Sequence, residues 1–248
     1  MTTESSLESF GNFDEVTLAK LGIYARYLQE WLRAPLSGRS RVNEALICDL
    51  CCGSGFTTEG SEGSPLRAVN VLRASEALIT AHPDVKIRLV FNDPNPRRVR
   101  QLAGRLGALL QTDNGASLAH IEYLSQPFAE AVEALLPQLK QCKTANLILI
   151  DRFGEDQFNE ARLNQLRNLQ HTDLLISVPS DWFRRFTASE TAEFWAIDRS
   201  DIDSVNYNHI HRFMTSYFRS LIGNEHLVAP FTLKRGSDVS GLVFASQN

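Results

Sequence analysis

Between positions 16 and 32, Leu21, Tyr24, Leu28 and Trp31 recur at helical spacing and Pro35 with Gly38 ends the pattern, which predicts an N-terminal helix covering an edge of a sheet. The run Ala45-Leu46-Ile47-Cys48-Asp49-Leu50 is short, apolar and followed by a glycine turn, as a buried central strand requires. After a polar loop at 57–63, Ser64-Pro65 reads as an N-cap with proline at the first helical position, opening a helix to about residue 81. Strand and helix patterns then alternate: strand 85–92, helix 96–110, strand 119–124, helix 128–139, strand 145–151, helix 158–169, strand 173–178. A long helical stretch, 205–221, is closed by Gly223, and two strand-like runs, 226–233 and 239–245, follow as a hairpin.

Five strands with helical crossovers imply a parallel sheet wound by right-handed connections. The expected fold class is therefore α/β and Rossmann-like, a mostly parallel sheet with a C-terminal antiparallel hairpin, in the arrangement of class I methyltransferases. With 248 residues, 43% of them hydrophobic, the chain can bury a full core, so one domain over 1–248 is expected, with 1–40 packed on it as a helical segment. The net charge of -4 argues against a generally basic nucleic-acid coat but leaves a local basic patch open. The polar, acidic start and the lack of a long apolar run predict a cytoplasmic protein with no membrane segment.

Chemistry concentrates at the predicted strand ends. In Asp49-Leu50-Cys51-Cys52-Gly53-Ser54-Gly55, Gly53 and Gly55 remove side chains that would block a ligand from the backbone, and Asp49 delivers a carboxylate to the crevice. The dinucleotide fingerprint needs a third glycine where Thr58 stands, and the loop to the next helix is too long for it. That combination favours S-adenosylmethionine over a nicotinamide dinucleotide, because S-adenosylmethionine carries no pyrophosphate to seat on a helix N-terminus. The residues assigned to this cofactor are Asp49, Cys51, Gly53, Ser54, Gly55, Asp93, Gln126 and Phe128. Asp93, in Asn92-Asp93-Pro94-Asn95, is placed to accept from both ribose hydroxyls, with helix capping as its other reading and Asn95 as rival for that job. Gln126 is expected to meet an exocyclic amine, and Phe128 either covers a ring face or begins its helix as a core residue.

The set Asp49 to Gly55, Gly63-Ser64-Pro65, Ile150-Asp151-Arg152-Phe153-Gly154, and Thr172 to Ile176 leading to Phe183-Arg184-Arg185, resembles the three-Cys-motif partner proteins, bacterial proteins built on the methyltransferase fold. The resemblance runs over about 18–246 and includes Phe194-Trp195 and the closing hairpin. It implies a methyltransferase-like enzyme near the amino-methyltransferases, a nucleic acid among the open acceptors, and a protein partner. On that resemblance the catalytic residues are Asp151 and the backbone at Arg152, which accept from a target amine, and Phe153, which stacks on a planar base. Two departures stand out. Cys51-Cys52 replaces Phe-Ala, and Arg152 replaces a proline that would hold the backbone rigid. Arg152 opens a second reading, a partner protein that keeps the fold without the catalysis, and a third in which its charge meets a phosphate or carboxylate.

No metal is expected. Cys48, Cys51 and Cys52 crowd a strand entering a tight turn, and His209 and His211 are two apart, on different sides of a helix. Arg97, Arg98, Arg100 and Arg105 cluster on one helix, where phosphate binding and a solvated face are both open. Asp181-Trp182-Phe183-Arg184-Arg185 mixes aromatic and basic side chains near the substrate side.

Overall fold

The computed structural model describes residues 12–111, 118–151, 159–178, 204–206, 209–235 and 238–247. Its strands are β1 (Glu44–Asp49), β2 (Lys86–Asn92), β3 (His120–Leu124), β4 (Thr144–Ile150), β5 (Thr172–Val178), β6 (Leu227–Arg235) and β7 (Asp238–Ser246). They form one sheet in the order β3-β2-β1-β4-β5-β7-β6. The first five strands pair in parallel, and β7 then pairs antiparallel with both β5 and β6. This is the mostly parallel sheet with a C-terminal antiparallel hairpin expected from the pattern. The hairpin enters with its second strand innermost, so β7 separates β6 from the parallel block.

Side-chain alternation divides the core. Leu46, Cys48 and Leu50, together with Ile148 and Ile150, pack with α5 (Phe128–Leu139), α6 (Glu160–Arg167) and α7 (Ile210–Ile222) on one face. Ala45, Ile47, Leu147 and Leu149 face the other side, under α1 (Glu15–Trp31), α2 (Ser64–Ala74), α3 (Glu76–Thr80) and α4 (Pro96–Gln111). A strand buried on both faces is apolar along most of its length, which is why β1 and β4 carry the apolar runs 45–48 and 147–150. Because β1 and β4 lie side by side while their crossovers leave in opposite directions, the carboxyl ends of these two strands border the topological switch point, where open α/β sheets bind ligands.

Several boundaries move for local reasons. The helix predicted from Ser64 to residue 81 breaks at Ser75, whose φ of -102° and ψ of 11° end α2 and begin α3. Ser64 is not the N-cap. Gly63 holds that position, and the Ser64 hydroxyl is committed to Asp49 instead. The Asp14 carboxylate caps α1 through the Thr17 amide at 2.8 Å, and Asn159 caps α6 through Arg162 N–H at 3.1 Å. Among the described residues no helix is long and apolar enough to cross a membrane.

In β7, Gly241 lies where an added Cβ would stand 2.0 Å from the Phe231 carbonyl oxygen and 2.8 Å from the imidazole of His211. Gly241→Ala should therefore destabilise the hairpin by about 1–3 kcal/mol or more, read as a lower midpoint in urea unfolding. His211 is 1% exposed, and burial pushes its imidazole down to about 4. A depressed histidine keeps its stability above the unfolded value and loses it as pH falls toward the folded one. Wild type should thus lose about 2 kcal/mol between pH 7 and pH 5 that a His211→Gln variant keeps, measured by denaturant titration at both pH values.

Candidate functional site

A cleft of about 280 Å³ opens at the carboxyl ends of β1 and β4, close to the lower end of the range for small-molecule sites. The β1–α2 turn forms its floor, with Cys51, Cys52, Gly53, Ser54, Gly55, Gly63 and Ser64 on the lining. Phe13, Thr17, Lys20 and Leu21, spaced to share one face of the α1 region, form the wall above. Asp93 and Arg98 stand on the β2 side and Asp151 on the β4 side.

The two glycines of the turn do different work. Both have positive φ, +60° at Gly53 and +78° at Gly55, where a side chain is strained. A Cβ at Gly53 would meet nothing within 4 Å, so its bare backbone is open to a ligand. A Cβ at Gly55 would lie 2.4 Å from Leu102 Cδ1 and 3.0 Å from Leu66 Cδ1, so the space that Gly55 leaves is filled by core side chains from α4 and α2. Gly55 is thus a packing glycine as well as a turn residue. The loop beyond it is held by Arg105, whose guanidinium lies 4.7 Å over the Phe56 ring.

Asp49 is fully buried beneath the turn. Its Oδ2 accepts from the Ser64 hydroxyl at 2.6 Å and its Oδ1 from the Cys51 amide at 3.2 Å. Burial pushes its carboxyl up to about 7; the bonds from Ser64 and Cys51 oppose the rise, and the charges of Asp151 and Asp93 add to it. Because Ser64 is the first residue of α2, this carboxylate already sits at the helix N-terminus, where a pyrophosphate would otherwise bind.

Asn92 is equally buried and ties three strand ends together. Its side-chain amide donates to the carbonyls of Leu50 and Gln126, each at 3.1 Å, and its Oδ1 accepts from Gln126 N–H at 3.1 Å. Beside it Asp93 is 3% exposed. Its Oδ1 accepts from Asn95 N–H at 2.9 Å and its Oδ2 lies 3.6 Å from Arg98. The Asn95 side chain in turn accepts from Arg97 N–H at 2.9 Å, so Asn95 takes the capping job at α4 and leaves Asp93 facing the cleft.

The other assigned residues divide. Gln126 is not on the lining, but its Oε1 is buried and has no hydrogen-bond partner among the described residues. Phe128, the first residue of α5, is 5% exposed in the core and is not on the lining. Arg152, Phe153 and Gly154, the 181–185 segment and Phe194-Trp195 lie outside the described residues. Cys48 packs on one face of the sheet and Cys52 on the other, and burial raises both thiols well above their usual range.

Two residues that sequence reasoning passed over, Lys20 and Ser177, complete the β4 side. Lys20 Nζ donates to Asp151 Oδ1 at 2.9 Å and to Ser177 Oγ at 3.1 Å. The available signal was a lysine beside Leu21 and Tyr24 on the apolar stripe of α1, where a buried stem with a polar end needs a partner.

No protein-family model matches the chain, and no curated protein matches it. Solved structures give low-identity likenesses. A Listeria monocytogenes protein assigned provisionally to the class I S-adenosylmethionine-dependent methyltransferases is 9% identical over 94% of this chain, with a TM-score of 0.42. The chain spans 62% of that protein's length. A geranyl diphosphate methyltransferase in complex with its diphosphate and sinefungin is 13% identical over 99% of this chain and 87% of its own, with a TM-score of 0.43. At such identities and scores a likeness carries no functional argument.

The raised carboxyl of Asp49 makes a stability prediction. A folded value above the unfolded one means the group is tolerated at low pH and costs stability as pH rises from about 4 through about 7. Asp49→Asn should therefore gain melting temperature relative to wild type with rising pH, with little difference near pH 4 and the largest at pH 8, in thermal melts across that range.

Proposed function

We propose that this chain is an S-adenosylmethionine-dependent methyltransferase of the three-Cys-motif partner type, acting on an amine acceptor, with nucleic acid as the first acceptor class to test. The observation that carries the reading is the carboxylate of Asp49 at the N-terminus of α2. It disfavours a pyrophosphate at that position and suits a ligand whose reactive centre is positive. Asp93 and Asp151 line the same cleft, each set against a cation, Arg98 and Lys20.

The residues present fit the methyl donor. The open backbone at Gly53 is a cradle that a Cβ would fill, Asp93 is a buried acceptor for ribose hydroxyls, and Gln126 Oε1 is a buried acceptor suited to an exocyclic amine. When bound, the donor supplies a methyl group activated by a positive sulfur. The chain's own part is to align an acceptor lone pair about 3 Å from that carbon and keep water out, which is a task of positioning. Asp151 is the residue assigned to orient the acceptor amine.

A second reading is a binding protein that retains the donor site without methyl transfer, working through a protein partner. The Lys20–Asp151 ion pair favours it, because it occupies the carboxylate an acceptor amine needs. Arg152 in place of the family's proline points the same way.

Calorimetric titration with S-adenosylmethionine and S-adenosylhomocysteine tests the shared donor site. Asp93→Ala should weaken both by about ten-fold or more, since it removes a buried acceptor and leaves Arg98 without its carboxylate. Wild-type protein that binds neither compound defeats the reading. Radiolabelled transfer to nucleic acid, protein or metabolite pools then separates the enzyme from the binding protein, which transfers to none of them.

A further inference from the structure

Among the described residues, Lys20 and Arg98 are the cations on the lining of the cleft, and they stand at opposite sides of it. Arg98 extends from α4 to Asp93 at 3.6 Å, on the side assigned to ribose. Lys20 descends from α1 to Asp151 and Ser177, on the side assigned to methyl transfer, and its side chain remains 19% exposed. The Gly53 turn lies on the same lining.

This arrangement matters for the amino-acid end of a methyl donor. An α-carboxylate placed on the Asp151 side of the cleft needs a cation, because like charges at a few ångströms in a partly dry cleft repel strongly. Arg98 is committed to the ribose side. A lysine has a four-carbon flexible stem and a point charge with three donors, so it can exchange one carboxylate for another without moving its helix.

We infer that Lys20 is the carboxylate-binding residue of the donor site and that it leaves Asp151 when the donor binds. The inference rests on the S-adenosylmethionine reading above. In the free protein Lys20 neutralises Asp151. On donor binding the ammonium turns to the α-carboxylate, and Asp151 is released to accept from an amine. The exchange makes the acceptor site available only after the donor has arrived. It accounts for a lysine set against the carboxylate assigned to the acceptor, which would otherwise block it.

The test uses two thioether nucleosides on the full chain, S-adenosylhomocysteine and 5′-methylthioadenosine, which lacks the amino-acid portion. By calorimetry, Lys20→Met should lose about ten-fold or more in affinity for S-adenosylhomocysteine and stay within about two-fold of wild type for 5′-methylthioadenosine. Lys20→Arg should retain most of the difference between the two ligands. Asp151→Asn, which frees the ammonium beforehand, should bind S-adenosylhomocysteine at least as tightly as wild type. Lys20→Met binding S-adenosylhomocysteine like wild type, or weakening both ligands equally, overturns the assignment. So does an Asp151→Asn loss as large as that of Lys20→Met, which would make the pair a structural strut of α1. Wild-type protein that binds neither nucleoside overturns the donor reading, and this inference with it.

Discussion

The carboxylate of Asp49, buried at the end of β1 and bonded to the Ser64 hydroxyl and the Cys51 amide, is the contact on which the mouth of the sheet depends. It joins the last residue of the central strand to the first residue of α2 across the whole β1–α2 loop. Asn92 adds a second tie, holding the loops after β1 and β3 against β2. With both in place the backbone at Gly53 is presented to the cleft instead of collapsing onto it. The cost is a carboxyl group held in a site that resists its charge, a strain commonly found at binding sites.

Helix α1 belongs to the site as much as the sheet does. It is pinned at the carboxyl end of β5 by Lys20 to Ser177 and Asp151, and at the amino end by Tyr27, whose hydroxyl donates to Asp173 at 2.5 Å. Those two polar contacts lie one at either end of β5, while Leu21, Tyr24 and Leu28 fill the stripe along the same helix. The helix is therefore a fixed wall with one exchangeable side chain, and the exchange of Lys20 needs no movement of α1. This geometry reconciles a resident cation in the cleft with an acceptor role for Asp151.

How far the residues spoke for themselves varied with how local the signal was. The apolar runs of β1, β4 and β5, the helical spacing of α1 and the closing hairpin follow from periodicity, since burial on one or both faces writes itself into every second or every third to fourth position. The turn at Gly53 and Gly55 and the carboxylate at Asp93 were legible because strand ends in this architecture deliver residues to the crevice. The break at Ser75 and the transfer of the α2 cap from Ser64 to Gly63 were not, because a hydroxyl that caps in isolation prefers a buried carboxylate brought to it from another element. Phe128 looked equally suited to ring and core, and its burial as the first residue of α5 is a matter of packing between distant segments.

The sequence by itself determined the alternation of elements, the near-complete parallel sheet and the chemical kinds of residue at each strand end, because these depend on neighbours within a few positions. Tertiary structure alone decided that β7 lies inside β6, that the space beside Gly55 belongs to Leu66 and Leu102, and that Lys20 meets Asp151 across more than a hundred residues of chain. Those are relations between distant segments, set by which faces pack and how much room remains. No local pattern of polar and apolar positions carries that information.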